Sequence, residues 1–384
     1  MRRAAARRGV REAQMAEREW ILLNPGPANT TPTVRRALLM PDLCHREPEF
    51  FRIMRSCRER LVRLAGAGPE WAAVLLTGSG TAAVEAALCS LVPPEGGVLV
   101  VDNGVYGDRM VRMARAHELR HVVLRYANTT PVDPGDVDRA LAAEPALTHV
   151  AVVHHETTTG LLNPVAAVAD AAARHGRRVI VDAMSSLFGE PFDFGHPALE
   201  AVVASANKCL AGIPGVAFVL ARRAALDALA DRPPRSVYLD LGTHYREQEA
   251  DNTPFTPAVQ VLRAMEQALV ELEAEGPAAR VARYAANART LREGMTRLGF
   301  EILVPEPARS SLLTAFRLPP GVSYDALHDA MKRRGYIIYA GQGPLRTWAF
   351  RVATMGTLTP ADVAGVVEAF AASLEELGVA AGRR

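Results

Sequence analysis

The chain contains no apolar run long enough to span a bilayer, so a transmembrane helix drops out of the readings of this sequence. Its four cysteines, Cys44, Cys57, Cys89 and Cys209, show neither the paired spacing of a metal site nor the pattern of a small disulfide-stapled domain. That usage fits a reducing cytosol, so a cytoplasmic protein without a metal is the expectation. A formal net charge of +2 is too small to call for a nucleic acid or an acidic membrane as partner. What is present in quantity is apolar surface: 49% of 384 residues is enough for a large unit and a smaller one.

The first residues carry Arg2, Arg3, Arg7, Arg8 and Arg11 among alanines. Glu12, Glu17 and Glu19 interrupt the positive run and no signal-type apolar core follows, so residues 1–19 read as a disordered leader, with order beginning near Trp20. Beyond it, apolar strands alternate with helical stretches: strands at 71–76, 98–102, 121–126, 148–155 and 178–182, with helices at 82–91, 108–117 and 165–175 between them. This β-loop-α rhythm predicts an α/β fold with a mainly parallel sheet covered by helices over residues 20–275. From about residue 276 the rhythm changes. Strands at 300–304, 312–318, 336–340 and 349–352, with helices at 324–334 and 360–377, predict a smaller α+β domain over 276–384.

Chemistry gathers at the strand ends. Ala201-Val202-Val203-Ala204 is a buried-strand pattern leading to Lys208, with Gly212 and Gly215 permitting a tight turn, and the strand at 178–182 ends on Asp182. In open α/β sheets ligands bind beyond the carboxyl ends of the strands, which makes Asp182 and Lys208 candidates for one site. An amine and a buried acid suit pyridoxal 5'-phosphate (PLP): the amine holds the aldehyde and the acid keeps the pyridine nitrogen protonated. Thr77-Gly78-Ser79-Gly80-Thr81 runs from a strand into a helix, and the free N–H groups there, with the hydroxyls of Ser79 and Thr81, suit a phosphate. A dinucleotide site would want a third glycine here, although the following strand does end in Asp102. Tyr106 leaves that strand and could lie flat on a heteroaromatic ring. Adjacent strand residues point to opposite faces, so at most one of His154 and His155 reaches the site, and hydrogen-bonded core histidines are expected. Arg351, flanked by apolar residues in Trp348-Ala349-Phe350-Arg351-Val352, is an unusual place for a charge and could grip a carboxylate or phosphonate by two parallel bonds.

Asn24-Pro25-Gly26-Pro27, Gly78-Ser79-Gly80-Thr81, Asn103-Gly104-Val105-Tyr106-Gly107, His155-Glu156-Thr157-Thr158-Thr159-Gly160, Asp182-Ala183-Met184-Ser185-Ser186 and Ser205-Ala206-Asn207-Lys208-Cys209 occur in the order found in the class V, fold type I, PLP-dependent aminotransferases, which the chain resembles from about residue 22 to 359. The Ser-Ala-Asn-Lys-Cys and Glu-Thr-Thr-Thr-Gly strings resemble the branch that uses 2-aminoethylphosphonate and pyruvate, whereas His45-Arg46-Glu47-Pro48 is similar to the general class V pattern. The resemblance implies that Lys208 and Asp182 are catalytic, that Ser79, Gly80, Thr81, Tyr106 and Thr158 bind the cofactor, and that Gly26, Thr30 and Arg351 meet the substrate. Thr158 would bond the cofactor's phenolic oxygen, with Glu156 behind it. Thr256 matches a threonine that crosses a dimer interface to the neighbour's cofactor phosphate, so a homodimer is implied; by local pattern Thr256 is also a helix cap.

Within the resemblance, a transaminase using alanine or serine with glyoxylate would keep every cofactor residue. A sulfur-transferring lyase would need a mobile cysteine in the C-terminal half, and none follows Cys209. A non-catalytic PLP-binding regulatory module would not require both Lys208 and Asp182.

Overall fold

A computed structural model describes residues 20–379; the leader expected at 1–19 lies outside the described residues. Seven strands form the large sheet: β1 (Trp71–Thr77), β2 (Gly97–Asp102), β3 (Arg120–Arg125), β4 (His149–Val153), β5 (Arg178–Asp182), β6 (Leu199–Ser205) and β7 (Val216–Arg222). Their order is β1-β7-β6-β5-β4-β2-β3. All but the edge strand β3 are buried along nearly their whole length, as expected of near-continuous Val, Leu and Ala runs covered by helices on both faces. One apolar layer gathers Trp71, Leu99, Val150, Val181 and Val202, and the opposite layer gathers Val74, Val100, Ala151, Ile180 and Val203, following the strand alternation.

Pairing is parallel from β3 through β6, whereas β7 runs antiparallel to both β6 and β1. The reversal follows from the connection. The β6–β7 link is a turn over 206–215, closed by Gly212 N–H to the Ala206 carbonyl at 2.7 Å, whereas a parallel crossover needs a dozen or more residues.

Helices α1 (Pro48–Leu64), α2 (Gly80–Leu91), α3 (Val105–Ala116), α4 (Pro134–Ala143), α5 (Val165–Arg174), α6 (Leu241–Glu249) and α7 (Val259–Glu275) surround the sheet. Helix α8 (Pro277–Arg297) then leads to an antiparallel sheet of β8 (Leu313–Arg317), β9 (Tyr339–Ala340) and β10 (Ala349–Ala353), in the order β8-β10-β9. Helices α9 (Tyr324–Arg333) and α10 (Pro360–Glu376) complete this part. Its core stacks Phe300, Phe316, Phe350 and Phe370, with ring centroids 5.4 to 6.1 Å apart.

Two expected strands differ. Residues 300–304 make only a single bridge, Ile302 to Phe316, because Phe300 turns into the aromatic core. The run 336–340 splits in two: Tyr336–Ile337 pairs in parallel with Ile21–Leu22, while β9 pairs with β10. The beginning of the described chain is thereby stitched to its far end, and Leu23 is buried among the C-terminal phenylalanines.

Candidate active site

Asp182 is the last residue of β5 and pairs in register with Val203 of the adjacent β6, whose chain continues through a turn to Lys208. The turn is held by Ala211 N–H to the Lys208 carbonyl at 2.9 Å, with Ala211 in the left-handed region at φ 58°. Lys208 Nζ donates to the Pro25 carbonyl at 2.7 Å. Gly26 lies at φ +121°, which strains any other residue, and a Cβ there would stand 2.4 Å from Nζ and push the lysine aside. Burial depresses the proton affinity of Lys208, against the opposing pull of Tyr106, Cys209 and Asp182. Burial also pushes the Asp182 carboxyl up to about 6, while the Met184 N–H, Arg109 and Lys208 pull it down. The Met184 N–H, 2.9 Å from Oδ1, is the only hydrogen bond to this carboxylate among the described residues. The Asp182 carboxyl is thereby brought close to neutral pH, and the Lys208 amine loses its proton more readily than an exposed lysine does.

Helix α2 begins beside them. Its N-cap Ser79 makes no side-chain cap bond; the Ala82 N–H is spent on the Ser79 carbonyl at 3.0 Å, which leaves the N–H groups of Gly80 and Thr81 and an exposed hydroxyl at the positive end of the helix. Gly80 leaves room for Met184, two residues after Asp182: a Cβ would stand 2.3 Å from its Sδ and make that side chain shift. Thr81 Oγ1 accepts from Arg109 Nη1 at 2.9 Å, and the Arg109 guanidinium lies 4.8 Å from the centre of the half-buried Tyr106 ring. Sequence reasoning did not single out Arg109. Its signal was the three-residue spacing from Tyr106, which puts both on one side of α3.

Glu156 is wholly buried and collects four donors: the Thr158 hydroxyl at 2.6 Å, Thr158 N–H at 3.1 Å, Tyr106 N–H at 3.2 Å and Gly107 N–H at 3.3 Å. Burial pushes its carboxyl up to about 7 against these bonds. The hydroxyl of Thr158 thus spends its proton on Glu156 and accepts from Val105 N–H at 2.9 Å. To donate to a cofactor oxygen it must turn away from Glu156.

His154 Nδ1 faces the Ser186 hydroxyl and His155 Nδ1 the Ser185 hydroxyl, each at 3.0 Å. The expectation of hydrogen-bonded core histidines fails at one atom, because His155 Nε2 is buried without a partner among the described residues. Burial holds both rings neutral, His155 down to about 3.

Arg351 lies in β10 with 2% of its surface exposed. It donates from Nε to the Ala340 carbonyl at 2.9 Å and from Nη1 to the Thr157 carbonyl at 2.7 Å and to Gln342 Oε1 at 2.9 Å. Thr157 follows Glu156, so the guanidinium reaches the same loop that braces Tyr106. Thr30 is half-buried, just ahead of the short helix Pro32–Ala37, which Thr31 caps. Thr256 is exposed and stands apart from this group beside Tyr238, His244, Thr253 and Phe255. It does not cap α7: the N-cap is Ala258, without a side-chain bond, because Pro257 delays the helix start. Arg46 donates to the Thr253 carbonyl at 2.8 Å and so ties the 45–48 segment to the loop that carries Thr256.

A sheet in this order, with a half-buried lysine and a buried aspartate beyond neighbouring strands and a helix N-terminus without a side-chain cap beside them, defines a fold type I PLP-dependent transferase. Residues 36–358 match the family model described as aminotransferase class-V, and the chain belongs to that family. It is 44% identical over 94% of its length to a protein from Syntrophobacter fumaroxidans named 2-aminoethylphosphonate–pyruvate transaminase, covering 98% of that relative. Among solved structures it is similar to an aspartate aminotransferase from Thermus thermophilus (TM-score 0.85, 30% identity, 93% of this chain and 99% of that one). It is also similar to pyridoxamine-pyruvate aminotransferase from Mesorhizobium loti (TM-score 0.87, 28% identity, 94% of each chain). The donor set fits PLP: a basic amine, an acid with an oxygen to spare, an aromatic ring, and glycines where a Cβ would fill the site.

Proposed function

We propose that this chain moves the amino group of 2-aminoethylphosphonate to pyruvate, giving phosphonoacetaldehyde and alanine, a reversible exchange. The observation that carries the reading is the placement of half-buried Lys208 and buried Asp182 beyond neighbouring strands, with Arg351 reaching the 156–158 loop that braces Tyr106; the name of the 44%-identical relative supports the choice of substrate.

Lys208 and Asp182 act as the catalytic pair. Asp182 holds a proton on the pyridine nitrogen, which a carboxylate with a free oxygen can do. Ser79, Gly80, Thr81 and the first turn of α2 hold the phosphate; Tyr106 covers one ring face, braced by Arg109, and Thr158 meets the phenolic oxygen. When bound, PLP supplies an electron sink for the charge left on a carbon that loses its proton. Lys208 Nζ moves that proton, and its depressed proton affinity keeps the neutral amine accessible. Arg351 holds the anionic end of each substrate in turn, between Gly26 and Thr30 on one side and the 341–344 loop on the other.

Residues 20–275 serve as the cofactor-binding domain and 276–384 as the smaller one. The protein works in the cytoplasm as a homodimer, with Thr256 of a second copy completing each phosphate site. No helix among the described residues is long and apolar enough to cross a membrane.

The test is the visible absorption of the PLP-loaded enzyme. Addition of 2-aminoethylphosphonate alone should bleach it and pyruvate should restore it. Bleaching by alanine or serine but not by aminoethylphosphonate would leave the family intact and remove this substrate.

A further inference from the structure

Arg351 meets its pocket with most of its hydrogen-bonding capacity committed. Of the five guanidinium N–H groups, Nε spends one on Ala340 and Nη1 spends two, on Thr157 and Gln342. Only the pair on Nη2 is left. A two-point grip on a carboxylate or phosphonate takes N–H groups from two nitrogens along one edge, so one existing bond must give way. Two of the three acceptors are main-chain carbonyls that cannot. Ala340 is held in the sheet opposite Phe350, and Thr157 lies in the loop fixed by Glu156. The third is a side-chain amide, half-buried at the pocket edge, on a turn between two glycines. Gly341 has no room for a Cβ, which would stand 2.5 Å from the Leu345 carbonyl, and Gly343 sits at φ +54° with its Cα direction facing Val105. The turn thus holds the Gln342 backbone in place and leaves its side chain as the part that moves.

We propose that Gln342 keeps the place of the substrate's anionic group on Arg351 Nη1 and is displaced from it when a carboxylate or phosphonate binds, so that this residue sets how tightly both substrates are held. The proposal rests on Arg351 being the anion anchor. A neutral amide suits the task. It spares a buried guanidinium N–H from standing unpaired in the empty pocket, and it yields to an anion, which meets the guanidinium with a full charge where the amide offers only a dipole. A carboxylate at position 342 would pair with Arg351 and give way poorly.

The test uses the PLP-loaded enzyme without amino donor, titrated calorimetrically with pyruvate and, separately, with methylphosphonate. Gln342→Ala should bind both about three- to tenfold more tightly, and Gln342→Glu should bind both about tenfold or more weakly. In turnover the KM values should shift the same way, with kcat changing less. Weaker or unchanged binding by Gln342→Ala would mean that Gln342 merely braces Arg351, which overturns the proposal. Arg351→Lys keeps the two failures apart. If it binds both probes as the wild type does, the anchor itself is wrong; if it loses them while Gln342→Ala fails to tighten, only the displacement falls.

Discussion

Lys208 and Gly26 approach so closely that no side chain fits between them: a Cβ on Gly26 would meet Cδ and Nζ of the lysine, each at 2.4 Å, while Nζ donates to the carbonyl of the preceding Pro25. The 24–27 loop and the amine are therefore one fitted unit.

Gly26→Ala should displace the lysine and strain a backbone at φ +121°. The expected result is a soluble protein with PLP occupancy and turnover each down by about tenfold or more, and a melting temperature lowered by the equivalent of about 1–3 kcal/mol. Absorbance of the loaded cofactor and a thermal melt measure the two separately.

Asp182→Asn should act in opposite directions on the two forms of the protein. The native carboxyl, raised from 3.8 to about 6, takes up a proton before the unfolded chain does. Its burial therefore costs stability above about pH 6; the cost shrinks as pH falls from there towards 4 and is absent below. The cofactor-free variant should accordingly be more stable than the wild type at pH 8 by about 1–3 kcal/mol, with the gap closing by pH 4. With PLP present the same variant should lose most activity, because an amide cannot hold the pyridine proton. Denaturant unfolding across pH, with and without cofactor, checks both halves.

Glu156→Gln should be costly although it is nearly isosteric. Four donors converge on the wholly buried carboxylate, and an amide turns one of its acceptor oxygens into a group with two donors of its own. A loss of about 2–3 kcal/mol is expected, with weaker PLP binding because the Tyr106 turn loosens. Stability at wild-type level would show that the four bonds add nothing net.

Complementation tests Thr256. Lys208→Ala should abolish turnover, and Thr256→Ala should weaken PLP binding, in homodimers of each. Dimers of one Lys208→Ala chain and one Thr256→Ala chain carry one site with both defects and one with neither. Mixing the two variants under exchange conditions should restore activity at low PLP concentration. A mixture that stays at the sum of its parts would place Thr256 outside the neighbour's site.

Apolar runs such as Ala201-Val202-Val203-Ala204 and Arg178-Val179-Ile180-Val181-Asp182 made the parallel core legible in advance, because a strand buried on both faces must be written in such residues. Asp182 and Lys208 were legible as charges stationed at the ends of those runs. The direction of β7 was not, since an apolar strand reads alike either way and only the length of its link decides. Glu156 and Gln342 could not be seen as they are. The first is defined by donors from Val105–Ala116 and from its own loop, the second by one acceptor's reach across a turn, and neither leaves a periodic trace. Thr256 was read as a cap because its neighbours favour one; the helix begins only after Pro257.

The opening segment runs like a guy-line between two anchor points. Ile21 and Leu22 are bonded into the strand at Tyr336–Ile337, and the Leu23 carbonyl takes the N–H of Ala353; five residues after Leu23, the Ala28 N–H is tied to the carbonyl of Asn207, next to Lys208. Pro25 hangs between the two ties. A shift of the C-terminal sheet against the large one would pull on the six residues from Leu23 to Ala28, and with them on the carbonyl where the amine rests.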